Sequence, residues 1–209
     1  MPTDSVATWF DSFGGKEHFR MKKLLRLGSH AAMVSAGAGI GSEMARSFQR
    51  FVHERKLDGI EEILRLGFPF FTGEYGSYLK EKRGLACSEG GATEKTSIED
   101  APLTGIYLIV AGYSFRDRDR PYQLRLVGND EEGQCMREYP DSPILVVPRS
   151  LSMERRLAAQ REGGALPDQI LSLFESFLRK RSAEEEEVGL PFHFATITAA
   201  GVKEMTREE

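Results

Sequence analysis

The sequence predicts an α+β fold in which antiparallel sheets carry helices on their outer faces. Three observations predict it. Strand and helix signals come in blocks, in the order strand hairpin, helices, strand hairpin, helices, strand, and do not alternate singly as in a doubly wound parallel sheet. The strongest strand signal, Leu103 to Tyr113 (LTGIYLIVAGY), is apolar throughout, as a strand buried on both faces must be. The clearest helical stretches show one apolar stripe, so each covers a sheet with one face.

Composition bounds the rest. The 209 residues suit a single domain, 1–209, with no linker and no internal repeat. Hydrophobic residues at 40% supply a core, and charged residues at 29% supply a solvated surface. A net charge of −4 gives no support for a nucleic-acid partner. No apolar run approaches the ~20 residues of a membrane span. The start, MPTDSVATWF, lacks the basic and apolar blocks of a signal peptide. Cys87 and Cys135 lack metal-type spacing and nothing supports a disulfide, so both read as reduced thiols of a cytoplasmic protein.

In chain order, residues 1–20 are polar with scattered aromatics and a turn at Gly14-Gly15, and read as an extended arm or loop. Met21 to Leu27 alternates and ends at Gly28-Ser29, a strand that pairs with the apolar run 31–36. Gly37, Gly39 and Gly41 break that run. Met44, Phe48, Phe51 and Val52 then repeat at helical spacing, predicting a helix from about Ser42 to near Lys56. Ile60, Ile63, Leu64 and Leu66 predict a second helix broken by Gly67-Phe68-Pro69, with a further turn or two from Glu74 to Lys82.

Residues 83–101 are polar and glycine-containing and read as a mobile loop. After the strand at 103–113, the alternating charges Arg116 to Arg120 mark a solvated turn. Tyr122 to Val127 returns as its hairpin partner, and 129–133 is a turn. Ile144 to Val147 reads as a short strand stopped by Pro148. Leu151 to Glu162 is a helix. A second follows Gly163-Gly164, with Pro167 in its first turn, Asp168 beside its N-terminal dipole, and a buried stripe of Ile170, Leu171, Phe174, Phe177 and Leu178. Glu184 to Glu187 is a solvated acidic run. Phe192 to Thr198 is the final strand, with a turn at Ala200-Gly201.

The chemistry centres on the glycine turn. A glycine turn feeding a helix leaves backbone N–H groups that can bind a phosphate or stabilise an oxyanion. The dinucleotide pattern needs glycine where Ser42 stands, and no Walker lysine follows. The simplest alternative is close packing of the helix on the sheet. His18, His30, His53 and His193 form no i, i+4 pair, so no metal site and no cofactor is expected. Lys22-Lys23 alone reads as a solvated strand edge. Beside Asp4, however, a lysine stays charged and lowers the pKa of a neighbouring amine.

Several motifs occur together in order: Asp4-Ser5-Val6-Ala7-Thr8, Lys23-Leu24-Leu25-Arg26-Leu27, the run His30 to Gly37, Ile109-Val110-Ala111-Gly112-Tyr113, and Phe194 to Val202. This set resembles the proteasome β-subunit type of N-terminal nucleophile hydrolase, including the bacterial proteasome-like proteins. The resemblance implies a four-layer α-β-β-α sandwich with two antiparallel sheets. It implies threonine-type hydrolysis of peptides or small amides. It assigns Lys23 to tuning the terminal amine, Asp4 to holding Lys23, and the Gly37 N–H to the oxyanion. It also implies self-association, as a ring or a dimer.

The departures are specific. The family's nucleophile heads a strand pair that precedes the Asp-Ser signature, and here that signature stands at residue 4, so the fold is expected to be N-terminally truncated. Removal of Met1 exposes Pro2, not Thr3. Val147-Pro148-Arg149-Ser150 replaces a Gly-Ser-Gly, and Glu186-Glu187-Val188-Gly189 replaces an Asp-x-x-Ser-Gly. The chain as written is therefore expected to be inactive, with unpaired sheet edges that promote association. The alternative is a non-catalytic subunit of a homo- or hetero-oligomeric ring.

Overall fold

The computed structural model describes residues 1–10, 16–88, 105–130, 133–139, 142–146, 150–186 and 188–208. The centre is a five-stranded antiparallel sheet in spatial order β4 (Leu24–Arg26), β5 (Ala31–Gly37), β6 (Ile106–Tyr113), β7 (Tyr122–Asn129) and β8 (Met136–Glu138). A three-stranded antiparallel sheet is ordered β1 (Pro2–Thr3), β9 (Phe192–Thr198) and β10 (Gly201–Arg207). β2 (Val6–Phe10) and β3 (Lys16–Arg20) form a separate hairpin.

Strand alternation divides the core in two. One face of β5 and β6 carries Met33, Leu108 and Val110, which pack with Met44, Phe48, Ile63 and Phe71 of the helices α1 (Gly39–Glu54) and α2 (Ile60–Ser88). The other face carries Ala32, Val34 and Ile109, which meet Ala195 and Ile197 of β9. The two sheets thus pack face to face. On the outer face of β9 and β10 lies α4 (Pro167–Glu184), whose residues Pro167, Asp168 and Leu171 face Phe194, Thr196 and Met205 across a cleft. α3 (Leu151–Glu162) packs beside α4. The α+β class, with antiparallel sheets and outer helices, is the one the element order predicts.

Several elements differ from expectation. Residues 6–10 and 16–20 are strands, not an extended arm or loop. Val6, Thr8, Trp9 and Phe10 suit a pleated strand, and Val6 to Phe10 pair with Arg20 to Lys16. The turn at Gly14-Gly15 lies outside the described residues. α1 begins at Gly39, so the second half of the glycine turn is already helical.

α2 runs unbroken through Pro69 and on to Ser88, into the segment read as a loop. Proline in a helix interior costs about 3 kcal/mol. The rings of Phe48, Phe70 and Phe71 lie 4.7 to 5.8 Å apart around this point. At about 1.5–3 kcal/mol per buried large side chain, that packing outweighs the proline. Gly67 permits the approach, since a Cβ there would stand 3.3 Å from Phe48 Cζ. The rest of the predicted loop, 89–101, lies outside the described residues.

β8 and β10 are additional strands. Residues 144–146 are not a strand, and Val147 lies outside the described residues. Pro143 removes a ladder donor, and Ser142 Oγ turns the chain locally by donating to the Ile144 carbonyl. The α4 stripe is half-buried, not buried.

Candidate functional site

The candidate site forms where the two sheets open at one end. Asp4 follows β1, and Lys23 precedes β4. Ser5 anchors the first segment. It is buried, its N–H donates to the Gly189 carbonyl at 3.2 Å, and its hydroxyl donates to the Pro191 carbonyl. Its own carbonyl accepts the Met21 N–H at 2.7 Å, which fixes the approach to Lys23.

Lys23 Nζ donates to Asp4 Oδ1 at 2.9 Å and Oδ2 at 3.0 Å, and both side chains are only 15% exposed. Reading Lys22-Lys23 as a solvated edge therefore fails for Lys23. An ion pair this shielded from water is held tightly, because losing either partner strands the other charge.

Gly37 ends β5 on the same side. The Ala38 N–H donates to Gly105 of the β6 side, at 3.3 Å, and the Ser35 N–H donates to the Lys23 carbonyl, at 3.2 Å. Amides alternate along a strand, so the Gly37 N–H points toward the Lys23 side. Gly37 has φ +88°, and a Cβ there would stand 1.6 Å from the Gly105 carbonyl oxygen. Only glycine fits.

Four further residues join the cluster. The inner face of β9 and β10 carries His193, Glu204 and Thr206, by the same alternation that turns Ala195 and Val202 inward. Lys22 pairs with Glu204 at 2.5 Å. His193 Nδ1 lies 3.2 Å from Thr206 Oγ1. Burial, then the Lys22 charge, lowers the His193 pKa below 6.5 despite the opposing charges of Glu204 and Asp4. Its imidazole is accordingly biased to the neutral form. The sequence reading missed Lys22, Glu204 and Thr206 and took His193 for a core or rim residue. Reading Val202 to Arg207 as an alternating strand would have placed Glu204 and Thr206 on the inner face with His193.

Beside the site, the Met1 amine donates to the Ala195 carbonyl at 2.6 Å, and burial lowers its pKa from 8.0 to about 6. The Thr3 hydroxyl donates to the Asp4 carbonyl at 3.2 Å. The arrangement supplies a shielded positive charge and an adjacent backbone donor. Such a pair lowers the pKa of a neighbouring amine and stabilises a developing oxyanion.

Among the described residues, no group of three or more His, Cys, Asp or Glu side chains is disposed to hold a metal. No helix in them is long and apolar enough to cross a membrane. No protein-family model matches the chain, and no curated protein matches it.

Proposed function

We propose that this chain carries the supporting half of an amide-hydrolysing site of the proteasome-like, N-terminal nucleophile type. The observation that carries the reading is the shielded Lys23–Asp4 pair beside the Gly37 amide. The order of layers, with two face-to-face antiparallel sheets between helices, also supports it.

In this reading the nucleophile is a terminal threonine, serine or cysteine contributed from outside residues 1–209. Its hydroxyl or thiol attacks the amide carbonyl while its own α-amine takes the proton. The Lys23 ammonium keeps that amine neutral enough to act as base, and Asp4 keeps Lys23 charged and in place. The Gly37 N–H donates to the oxyanion. Collapse breaks the C–N bond, the leaving amine takes the proton, and water then hydrolyses the acyl intermediate. The substrates are peptides or small amides, the compartment is the cytoplasm, and the working form is an oligomer.

A second reading, a non-catalytic subunit of a ring, is favoured by one observation. The Met1 amine is bonded to the Ala195 carbonyl and the Thr3 hydroxyl to its neighbour's carbonyl, so both groups are already engaged within the chain. The coding sequence upstream of Met1 separates the two. An in-frame stretch encoding a strand pair led by Thr, Ser or Cys supports the hydrolase. An immediate stop codon removes it and leaves the subunit.

A further inference from the structure

α4 lies along β10 as three rungs, and the third stands open. Asp168, Leu171 and Glu175 fall on one helix face, at i, i+3 and i+7. Lys203, Met205 and Arg207 alternate onto the outer face of β10. Asp168 to Glu175 spans about 10.5 Å of helix. Lys203 to Arg207 spans about 13 Å of strand, so the two rows run nearly in step.

At one end the rung is closed, because Arg207 Nε donates to Glu175 Oε2 at 3.4 Å. In the middle Leu171 and Met205 line a cleft whose floor is the buried ring of Phe194, the partner of Met205 in register. At the other end Asp168 lines the cleft from the helix wall and Lys203 from the strand wall. Among the described residues neither side chain forms an ion pair or a hydrogen bond.

The cleft has a volume of about 470 Å³. Small-molecule sites of mostly apolar lining with a few polar groups run from about 300 to 1,000 Å³. At about 30 Å³ per water the cleft has room for roughly 16 waters, and so for a molecule of dipeptide size. Asp168 and Lys203 are the only charged residues that line it. The α4 N-terminus adds about half a positive charge, which the full charge of Asp168 exceeds. The helix wall is therefore negative and the strand wall positive. A simple anion or cation meets like charge on one wall. An uncharged apolar molecule takes water from both charges and returns no partner to either.

We propose that this cleft binds a short apolar peptide, of dipeptide size, with both termini free. The peptide ammonium bonds Asp168. Its carboxylate bonds Lys203 and the hydroxyl of Thr196, which stands opposite Lys203 in register. Its side chains cover Leu171, Phe194 and Met205. The cleft is on the outer face of β9 and β10, and the cluster of His193 and Glu204 is on the inner face, so the proposal is independent of the hydrolase reading.

The experiment is isothermal titration calorimetry of the full 209-residue chain with leucyl-leucine, N-acetyl-leucyl-leucine, leucyl-leucinamide and glycyl-glycine. Leucyl-leucine is expected to bind, and each of the other three to bind about tenfold or more weakly. Asp168→Asn should bind leucyl-leucine no better than the wild type binds the acetylated peptide. Lys203→Met should bind it no better than the wild type binds the amide. Both positions are exposed, and circular dichroism checks that each variant is folded. A wild-type chain that binds none of the four at millimolar peptide overturns the proposal. So do equal affinities for free and capped peptides, or a variant that binds leucyl-leucine as tightly as the wild type.

Discussion

Lys23 Nζ bonds both carboxylate oxygens of Asp4, at 2.9 and 3.0 Å, across 19 residues of sequence. The pair ties the end of β1 to the start of β4 and so joins the two sheets at their open end. Lys23→Met leaves the Asp4 carboxylate without this partner in a site largely closed to water. We expect destabilisation of about 3 kcal/mol, read by denaturant unfolding. Asp4→Asn with Lys23→Met removes both charges and should recover part of that loss. A single variant as stable as the wild type would contradict the assignment.

Gly37→Ala tests the turn. A Cβ at φ +88° would collide with the Gly105 carbonyl at 1.6 Å, so backbone must move. A loss of about 3 kcal/mol is expected. Gly39→Ala, two residues on, meets nothing within 4 Å and should be tolerated. Equal melting temperatures for the two variants would show that the turn is not as described.

Acid should destabilise the protein first through its lowered bases and then through its lowered carboxylates. The buried Met1 amine, lowered from 8.0 to about 6, loses its contribution as pH falls from 8 through 6. His193 has a folded pKa below its ordinary 6.5. Its unfolded form therefore binds the proton first, and stability present above pH 6.5 is lost as pH falls through the folded value. Three carboxylates sit below their ordinary values. Hydrogen bonds from the Ser29 side chain and backbone lower Asp58 from 3.8. Burial would raise Asp130, but the Cys135 thiol and the N–H groups of Cys135 and Gln134 outweigh it and hold it below 3.8. Arg179, then Arg207, holds Glu175 below 4.5 against its burial. Their contribution is present above these ordinary values and is lost as pH falls below them. NMR titration should place the His193 ring below 6.5 and show it rise in Lys22→Met. A value at or above 6.5 in the wild type would refute this.

β9 is paired along its length by β10, but on its other side only by Met1 to Thr3. Beyond Ala195 that edge has no strand among the described residues. An upstream extension that continues β1 along Ile197 should raise the melting temperature. It should also reduce light scattering in high salt, where ionic contacts are screened. A 209-residue chain that is clean and monodisperse in high salt would count against this.

The antiparallel class was legible because β6 is apolar at every position and α1 repeats its apolar residues at helical spacing. Asp4 and Lys23 were legible only as a pair within a resemblance. Each alone looks like a surface charge, and their contact spans two sheets. The misses have separate causes. Pro69 stays inside α2 because Phe48, Phe70 and Phe71 pack around it, which is a tertiary effect. β10 reads as polar because its outer face carries Lys203 and its inner face reaches the polar mouth with Glu204 and Thr206. A strand with polar residues on both faces gives no hydrophobic alternation. The Ile144 to Val147 run is apolar but lies between prolines, and composition outweighed that boundary.

The most direct measurement is covalent labelling by an electrophile selective for N-terminal threonine, serine or cysteine, followed by mass spectrometry. It compares the 209-residue chain, the upstream-extended chain, and the extended chain with Lys23→Met. The account predicts no labelling of the first, labelling of the second at its terminal nucleophile, and a large loss of labelling rate in the third. An extended chain that never labels, or one whose labelling ignores Lys23, would contradict it.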